Sequence, residues 1–229
     1  MTAEEVYDWL IASSTSSAGD AFDVHVAASI FAVAFAEAEQ DGRDQLDSVG
    51  LERRAFLDLS GILFPAAAPV LAQQVDEHPV AVEPEEQSVR DILGIYSSDA
   101  GRLQAYFIAM IARRCQAPHH LWQDLGLRSR EELRELMTRR FAPLAMKNRQ
   151  DMKWKKFLYR MVCGSEGFTL CAAPVCSDCD EFHICFGAED GESRLARSRN
   201  FGAANANAPM DTALLDTAPL NNALPEAAE

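Results

Sequence analysis

Four cysteines stand within fifteen residues towards the end of the chain, and their type and spacing point most directly to chemistry. Cys171, Cys176, Cys179 and Cys185 follow the pattern C-x4-C-x2-C-x5-C. Cysteine thiolates are soft ligands that select zinc, copper(I) or iron–sulfur clusters. Because four thiolates in so short a segment can share one metal centre, we predict that all four are metal ligands.

The spacing of this cysteine run favours an iron–sulfur cluster over a zinc ion. Structural zinc sites usually pair two C-x2-C knuckles across a longer spacer, whereas the run contains one C-x2-C. Its first three cysteines match the C-x4-C-x2-C pattern of plant-type iron–sulfur proteins, although the fourth follows far sooner than in that fold. A zinc site is therefore kept as the alternative.

Two further residues near the run are candidate ligands. His183 lies inside the run, and Cys163 precedes Cys171 by eight residues. Either side chain could occupy an exchangeable position on a metal centre. The simpler interpretations are an exposed loop histidine and a small core residue, and the core is also where we expect Cys115 and Trp122.

A basic segment lies directly upstream of the run in an acidic protein. The formal net charge is −14, divided into −15 for residues 1–100, +9 for residues 101–160 and −8 for residues 161–229. The overall charge argues against a nucleic-acid binder and a polybasic membrane-surface protein. Four cations at helical spacing are candidate contacts for an anion or an acidic partner, with a solvated helix face as the alternative. They are Arg149, Lys153, Lys156 and Arg160.

Helix patterns dominate the elements that must position these residues, and strand patterns are weak throughout. Apolar residues recur at three-to-four spacing in several long stretches. The predicted long helices span residues 20–40, 51–64, 98–115 and 143–163, with a short helix within 119–127 and another helix beginning near Pro84. Capping boxes are predicted at Thr2 with Glu5 and at Ser129 with Glu132.

These patterns predict an all-α fold with three parts. Residues 1–163 form a helical, bundle-like domain. Residues 164–199 form an irregular, cysteine-rich cluster-binding segment packed on that domain. Residues 200–229 are low in complexity and form a disordered tail.

Nothing in the sequence predicts export or a membrane span. The N-terminus lacks the basic and apolar regions of a secretory signal. The most apolar stretch, residues 26–36, is about half as long as a membrane span requires, and it reads as a buried helix. We therefore predict a cytoplasmic protein, in which cysteines are more often thiols or metal ligands than disulfides.

The cysteine run and its flanks resemble the NifQ proteins of nitrogen fixation. The resemblance rests on the run itself, on Phe186-Gly187 after it, and on two upstream stretches, HLWQDLG at 120–126 and MKWKKF at 152–157. It extends from about Cys115 to Glu192. The cysteine motif of the family maps onto the four cysteines of the run without a change in spacing.

This resemblance implies a metallochaperone and not an enzyme. NifQ proteins are understood to carry a molybdenum–iron–sulfur cluster and to donate molybdenum to assembly of the nitrogenase iron–molybdenum cofactor. The implied partners are the cofactor-assembly scaffold, the nitrogenase iron protein and a source of molybdenum such as molybdate. From the residues alone, a zinc-stapled helical adaptor and an iron–sulfur redox carrier or sensor stay open as alternatives.

Overall fold

The computed structural model describes residues 1–15, 20–165, 182–186, 188–189 and 191–195. Within these ranges the regular structure is helical and contains no strand, which confirms the all-α prediction. The helices are α1 (Ala3–Ala12), α2 (Ala21–Asp41), α3 (Gln45–Val49), α4 (Arg53–Leu63), α5 (Ala68–Gln74), α6 (Pro84–Ile95), α7 (Arg102–Cys115), α8 (Leu121–Asp124), α9 (Arg130–Arg140), α10 (Ala142–Ala145), α11 (Trp154–Ser165) and α12 (Phe182–Phe186).

Helix α2 lies at the centre of the fold. Its side chains from Val26 to Phe35 are all buried, as expected for a helix that is apolar around its whole circumference. The Asp20 side chain accepts a hydrogen bond from the Phe22 amide at 2.7 Å, and Gly42 ends the helix in a left-handed conformation. The prediction that residues 26–36 form a buried helix is confirmed.

Of the helices the structure describes, α2 alone is long and apolar enough to cross a membrane by length and composition. Most of its apolar stretch is buried inside the protein, where α1 and α3 pack against it. Aromatic contacts continue this core, since the Phe31 ring lies 5.0 Å from that of Phe56 on α4 and 5.8 Å from that of Phe64.

Most helix predictions are confirmed. Helices α2, α4, α6 and α7 occupy the predicted stretches. The capping box at α1 forms as predicted, with the Thr2 amide donating to Glu5 at 2.8 Å and the Glu5 amide donating to the Thr2 hydroxyl at 3.2 Å.

The prediction of one helix over residues 143–163 is wrong. The stretch forms α10 and α11, separated by a turn in which Asp151 has a φ of 56°. The Asn148 side chain accepts from the Met152 amide and donates to the Met152 carbonyl, both at 2.9 Å. These side-chain bonds replace helical backbone bonds, which explains the interruption.

The capping box predicted at α9 is also wrong. Ser129 precedes the helix but makes no side-chain cap bond to its backbone. The Glu132 carboxylate instead accepts from the Arg128 amide at 2.8 Å and lies 3.1 Å from Nε2 of His25 on α2. Glu132 therefore makes a long-range contact with His25, which the local pattern does not encode, and does not cap α9.

Most of the cysteine-rich segment and the whole predicted tail, residues 200–229, lie outside the described residues. Within the segment, α12 is a short helix, which corrects the prediction that the whole segment is irregular.

Candidate metal centre

The last cysteine of the run is attached to the helical core through its backbone. Cys185 lies on α12, and its carbonyl accepts a hydrogen bond from the Lys153 amide, directly before α11, at 2.9 Å. The side chains of Cys185 and Phe186 are half-buried against the core. The other three predicted ligands, at positions 171, 176 and 179, lie outside the described residues.

The two additional candidate ligands remain predictions. Cys163 lies in the last part of α11 and is half-buried. His183 lies on the α12 backbone, and its side chain is outside the described part of the chain. Cys115 ends α7 in the core, as predicted, and burial raises the pKa of its thiol to about 12, so it is a poor thiolate donor.

A buried carboxylate organises polar contacts between α11 and the segment that follows α12. Asp124 on α8 is fully buried. Its carboxylate contacts the Lys155 ammonium on α11, Nδ1 of His119 at 3.1 Å and the Arg194 guanidinium at 3.3 Å. Its main-chain carbonyl accepts from Nε of Arg114 at 2.7 Å.

Glu37 joins the same set of contacts from the central helix. Arg114 binds its two carboxylate oxygens at 2.5 and 2.8 Å, and Arg194 contacts it as well. Burial works against the charged carboxylate, but the hydrogen bonds and charges of Arg114 and Arg194 outweigh it and lower the pKa of Glu37. We refer to six side chains together as the Asp124 cluster. They are Glu37, Arg114, His119, Asp124, Lys155 and Arg194.

The Asp124 cluster fastens the chain that follows the run to the helical core. Arg194 belongs to that following segment, and its partners lie on α2 and α8. A second attachment is made by Glu189, whose buried carboxylate lies 3.3 Å from Nε of Arg130 and 3.4 Å from Nδ1 of His120. The side-chain amide Nε2 of Gln123 also donates to the Glu192 carbonyl at 3.0 Å.

An open cleft of about 870 Å³ reaches one side of this cluster. Its wall includes Glu37, Arg114, His119 and Arg194. Its other charged residues are mostly acidic, so the cleft as a whole is not a basic anion pocket. The charged residues that complete its wall are Asp41, Arg43, Asp47, Glu83, Glu85, Glu86 and Arg113.

The four predicted basic contacts do not share one helix face. Arg149 lies in the turn between α10 and α11, where its Nε donates to the Met146 carbonyl at 3.2 Å. Lys153 precedes α11, whereas Lys156 and Arg160 lie on it and are exposed. The predicted continuous stripe is therefore wrong, because the turn at Asp151 breaks the helical register. A contact role for each cation stays a prediction.

Comparison with known proteins identifies the family. The NifQ family model matches residues 26–187, a range that contains all four cysteines of the run and most of the Asp124 cluster. A NifQ homolog from Sinorhizobium fredii is 34% identical over 172 residues, which are 75% of this chain and 75% of that protein. This chain belongs to the NifQ family.

Other members of the NifQ family match over shorter stretches. The Azotobacter vinelandii protein is 43% identical over 86 residues, 38% of this chain and 44% of its own length. The Klebsiella pneumoniae protein is 43% identical over 96 residues, 42% of this chain and 55% of its own. No solved structure matches. Membership in the NifQ family implies a role in nitrogen fixation, in biosynthesis of the nitrogenase cofactor.

Sequence reasoning singled out the NifQ cysteines but missed the Asp124 cluster. One available signal was Asp124 itself, an acid inside the apolar stretch HHLWQDLGL. Because a buried carboxylate needs partners, such a placement predicts cations from elsewhere in the chain. It does not say which cations, and Arg194 lies beyond the matched range of the family.

Proposed function

We propose that this protein carries molybdenum on an iron–sulfur cluster and donates it for assembly of the nitrogenase iron–molybdenum cofactor. Cys171, Cys176, Cys179 and Cys185 hold the cluster through their thiolates. The cluster is cargo that is loaded and released, so the protein acts as a metallochaperone and not as a turnover enzyme. Its partners are the cofactor-assembly scaffold and the nitrogenase iron protein, in the cytoplasm.

One observation carries this proposal, namely the attachment of Cys185 and of the segment after the run to the helical core. The chain enters the run from α11 and leaves it through α12, whose Cys185 carbonyl binds the Lys153 amide. Beyond α12, Glu189 and Arg194 bind residues of the core. A run whose last cysteine is held by the core needs less ordering when it closes around a cluster, which favours loading.

The charges beside the run suit an anionic cargo. Four thiolates around an iron–sulfur cluster carry negative charge, and Asp178, Asp180 and Glu181 in the run add to it. The Asp124 cluster holds three permanent cations against two carboxylates. Two of these cations flank the run in the chain, Lys155 on α11 before it and Arg194 after it, and their positive charge supports binding of the loaded cluster.

The donor set also fits the metals concerned. Thiolates are the ligands that iron–sulfur clusters use, and the half-buried position of Cys185 gives a cluster partial access to solvent. Partial access is what a carrier needs, since its cargo must leave. Cys163 and His183 are the candidates for an exchangeable position.

The decisive experiment is metal analysis of the protein purified without oxygen. We expect iron and molybdenum in a coloured protein, and transfer of the molybdenum to an acceptor scaffold. Cys185→Ala should lower the iron content and the transfer. Cys115→Ala, which removes a buried thiol outside the run, is the matched control and should change neither.

Other outcomes would support the alternative functions. A colourless protein with one zinc and no iron would indicate a zinc-stapled adaptor and would refute the proposal. Iron with reversible one-electron chemistry, but without transferable molybdenum, would indicate a redox carrier or sensor.

We propose that the basic residues near α11 contact molybdate or an acidic partner. Lys156 is exposed on α11 and is the simplest to test. Lys156→Gln should slow transfer at low salt and have little effect at high salt, because exposed charges are screened. The exposed Lys147→Gln is the control, and equal effects of both changes would contradict a specific contact.

A further inference from the structure

Three side chains of metal-ligating types meet in the N-terminal half of the chain, far in sequence from the cysteine run. Asp44 and Asp47 belong to the start of α3, and His78 lies in the connection between α5 and α6. Nε2 of His78 is 3.5 Å from an oxygen of Asp44 and 3.3 Å from an oxygen of Asp47. The three ligand atoms all lie within 4.8 Å of one another.

From this geometry we propose that Asp44, Asp47 and His78 bind a divalent first-row transition-metal ion. The two separations measured from Nε2 of His78 are compatible with a shared ion. Two ligand atoms bound at about 2.0–2.2 Å in tetrahedral geometry lie about 3.3–3.6 Å apart. One imidazole with two carboxylates suits ions such as Mn²⁺, Fe²⁺ or Zn²⁺.

The imidazole nitrogen itself indicates a missing partner. Nε2 of His78 is buried and makes no hydrogen bond to any described residue. It lies at ion-pair distance from the two carboxylates without a well-aligned hydrogen bond to either. An ion placed between the three groups would satisfy all of them.

The electrostatics of the site favour a cation. Within the described structure, His78 is the one cation-forming side chain within ion-pair distance of these two aspartates. The negative charge of the two carboxylates is therefore available to bind a metal ion.

Neighbouring arginines hold the two parts of the site together. Arg113 donates to the Asp47 carbonyl at 2.7 Å and to the Ala81 carbonyl at 2.5 Å, which ties α3 to the connection that carries His78. Arg53 binds the Val75 carbonyl at 3.1 Å at the other end of that connection. The Asp44 carboxylate is fixed by its cap bond to the Leu46 amide at 2.7 Å.

The side chains leave room for further ligands. His78, Asp44 and Asp47 are 29%, 36% and 42% exposed, so water can complete the coordination. The site uses no cysteine and stands apart from the proposed cluster function. Its metal would join α3 to the connection between α5 and α6.

Manganese binding tests the site with little interference from the cysteines, because Mn²⁺ prefers oxygen and imidazole ligands to thiolates. Unbound Mn²⁺ is measured by electron paramagnetic resonance during titration of the full chain. We expect one bound ion, and at least tenfold weaker binding in His78→Gln and in Asp47→Asn. Asp44→Asn can keep the helix cap, and we expect it to weaken Mn²⁺ binding as well.

Two controls separate this site from others. His25→Gln changes a histidine that already has partners in Tyr7 and Glu132, and it should bind Mn²⁺ like the unchanged protein. Cys185→Ala should also bind normally, which makes the test independent of the cluster proposal. Excess Mg²⁺ should not displace Mn²⁺, since the imidazole favours transition metals.

A second measurement does not depend on any variant being folded. In the unchanged protein, substoichiometric Mn²⁺ should broaden the ring signals of His78 before those of the other four histidines. The proposal is overturned if millimolar Mn²⁺ does not bind, if His78→Gln and Asp47→Asn bind it normally, or if another histidine is broadened first.

Discussion

The ammonium of Lys155 on α11 contacts the carboxylate of Asp124 on α8, and the carboxylate is fully shielded from solvent. The same carboxylate contacts Arg194, beyond the cysteine run. This one acid therefore links the helix that leads into the run with the segment that follows it. Its loss should affect both.

We expect Asp124→Asn to destabilise the fold by about 3–5 kcal/mol, because it leaves buried cations without their counter-charge. Chemical denaturation at neutral pH measures the change in the free energy of unfolding. Asp41→Asn is the control, since Asp41 pairs with Arg43 at a site where both side chains are more than half exposed. That change should cost less than about 1 kcal/mol. Equal effects would contradict the central role of Asp124.

Arg194→Gln should release the segment after the run while leaving the helical core folded. Arg194 contributes contacts to both Glu37 and Asp124, so its removal should make local opening easier. Amide hydrogen exchange across residues 188–195 should accelerate about tenfold, which corresponds to about 1.4 kcal/mol. Arg102→Gln, at an exposed pair with Asp58, should leave that exchange unchanged. Unaltered exchange in Arg194→Gln would show that other contacts hold the segment.

The contribution of Glu37 should depend on pH. Burial opposes its charge, but Arg114 and Arg194 lower its pKa below the ordinary value of about 4.5. A group whose pKa is lowered by folding contributes fully above its unfolded pKa, and the contribution is lost as the pH falls through the folded one. Glu37→Gln should therefore cost about 1.5–3 kcal/mol at neutral pH.

The difference between Glu37→Gln and the unchanged protein should narrow as the pH falls below about 4.5. Unfolding titrations at several pH values measure this. Glu39 is exposed and lies two residues away on the same helix. The free energy of unfolding of Glu39→Gln should differ little from that of the unchanged protein at every pH. A Glu37 effect that grows on acidification would have the wrong sign.

Gly126→Ala should destabilise the turn that presents Asp124. Gly126 has a φ of 71°, and a Cβ there would lie 2.6 Å from the Ser29 carbonyl oxygen and 2.7 Å from Cγ2 of Val33. Backbone strain and the clash with α2 together should cost about 2–4 kcal/mol. Thermal and chemical unfolding measure the loss.

Gly61→Ala provides the matched comparison for this change. Gly61 is an exposed residue in α4, and no described atom lies within 4 Å of an added Cβ. Alanine there should stabilise the helix by roughly 0.5–1 kcal/mol. If Gly61→Ala also destabilised the protein, the close approach of the Gly126 turn to α2 would not explain the destabilisation by Gly126→Ala.

Local signals predicted most of the helices because their causes are local. The Asp20 cap and Gly42 bound α2, and the apolar spacing within α7 predicted its buried face. The errors occurred where a distant or side-chain contact prevailed. Asn148 interrupted the predicted helix over 143–163, and His25 and Arg128 engaged the Glu132 expected to cap α9.

The sequence by itself determined the all-α class, the four-cysteine run and the family. Periodicity, thiol chemistry and spacing are properties of neighbouring residues and need no fold to be recognised. Only the tertiary structure decided that Asp124 meets Lys155 and Arg194, and that Asp44 and Asp47 meet His78. These partners are separated by about thirty to seventy residues. Burial and charge bring them together only after the helices have packed, so no local pattern encodes them.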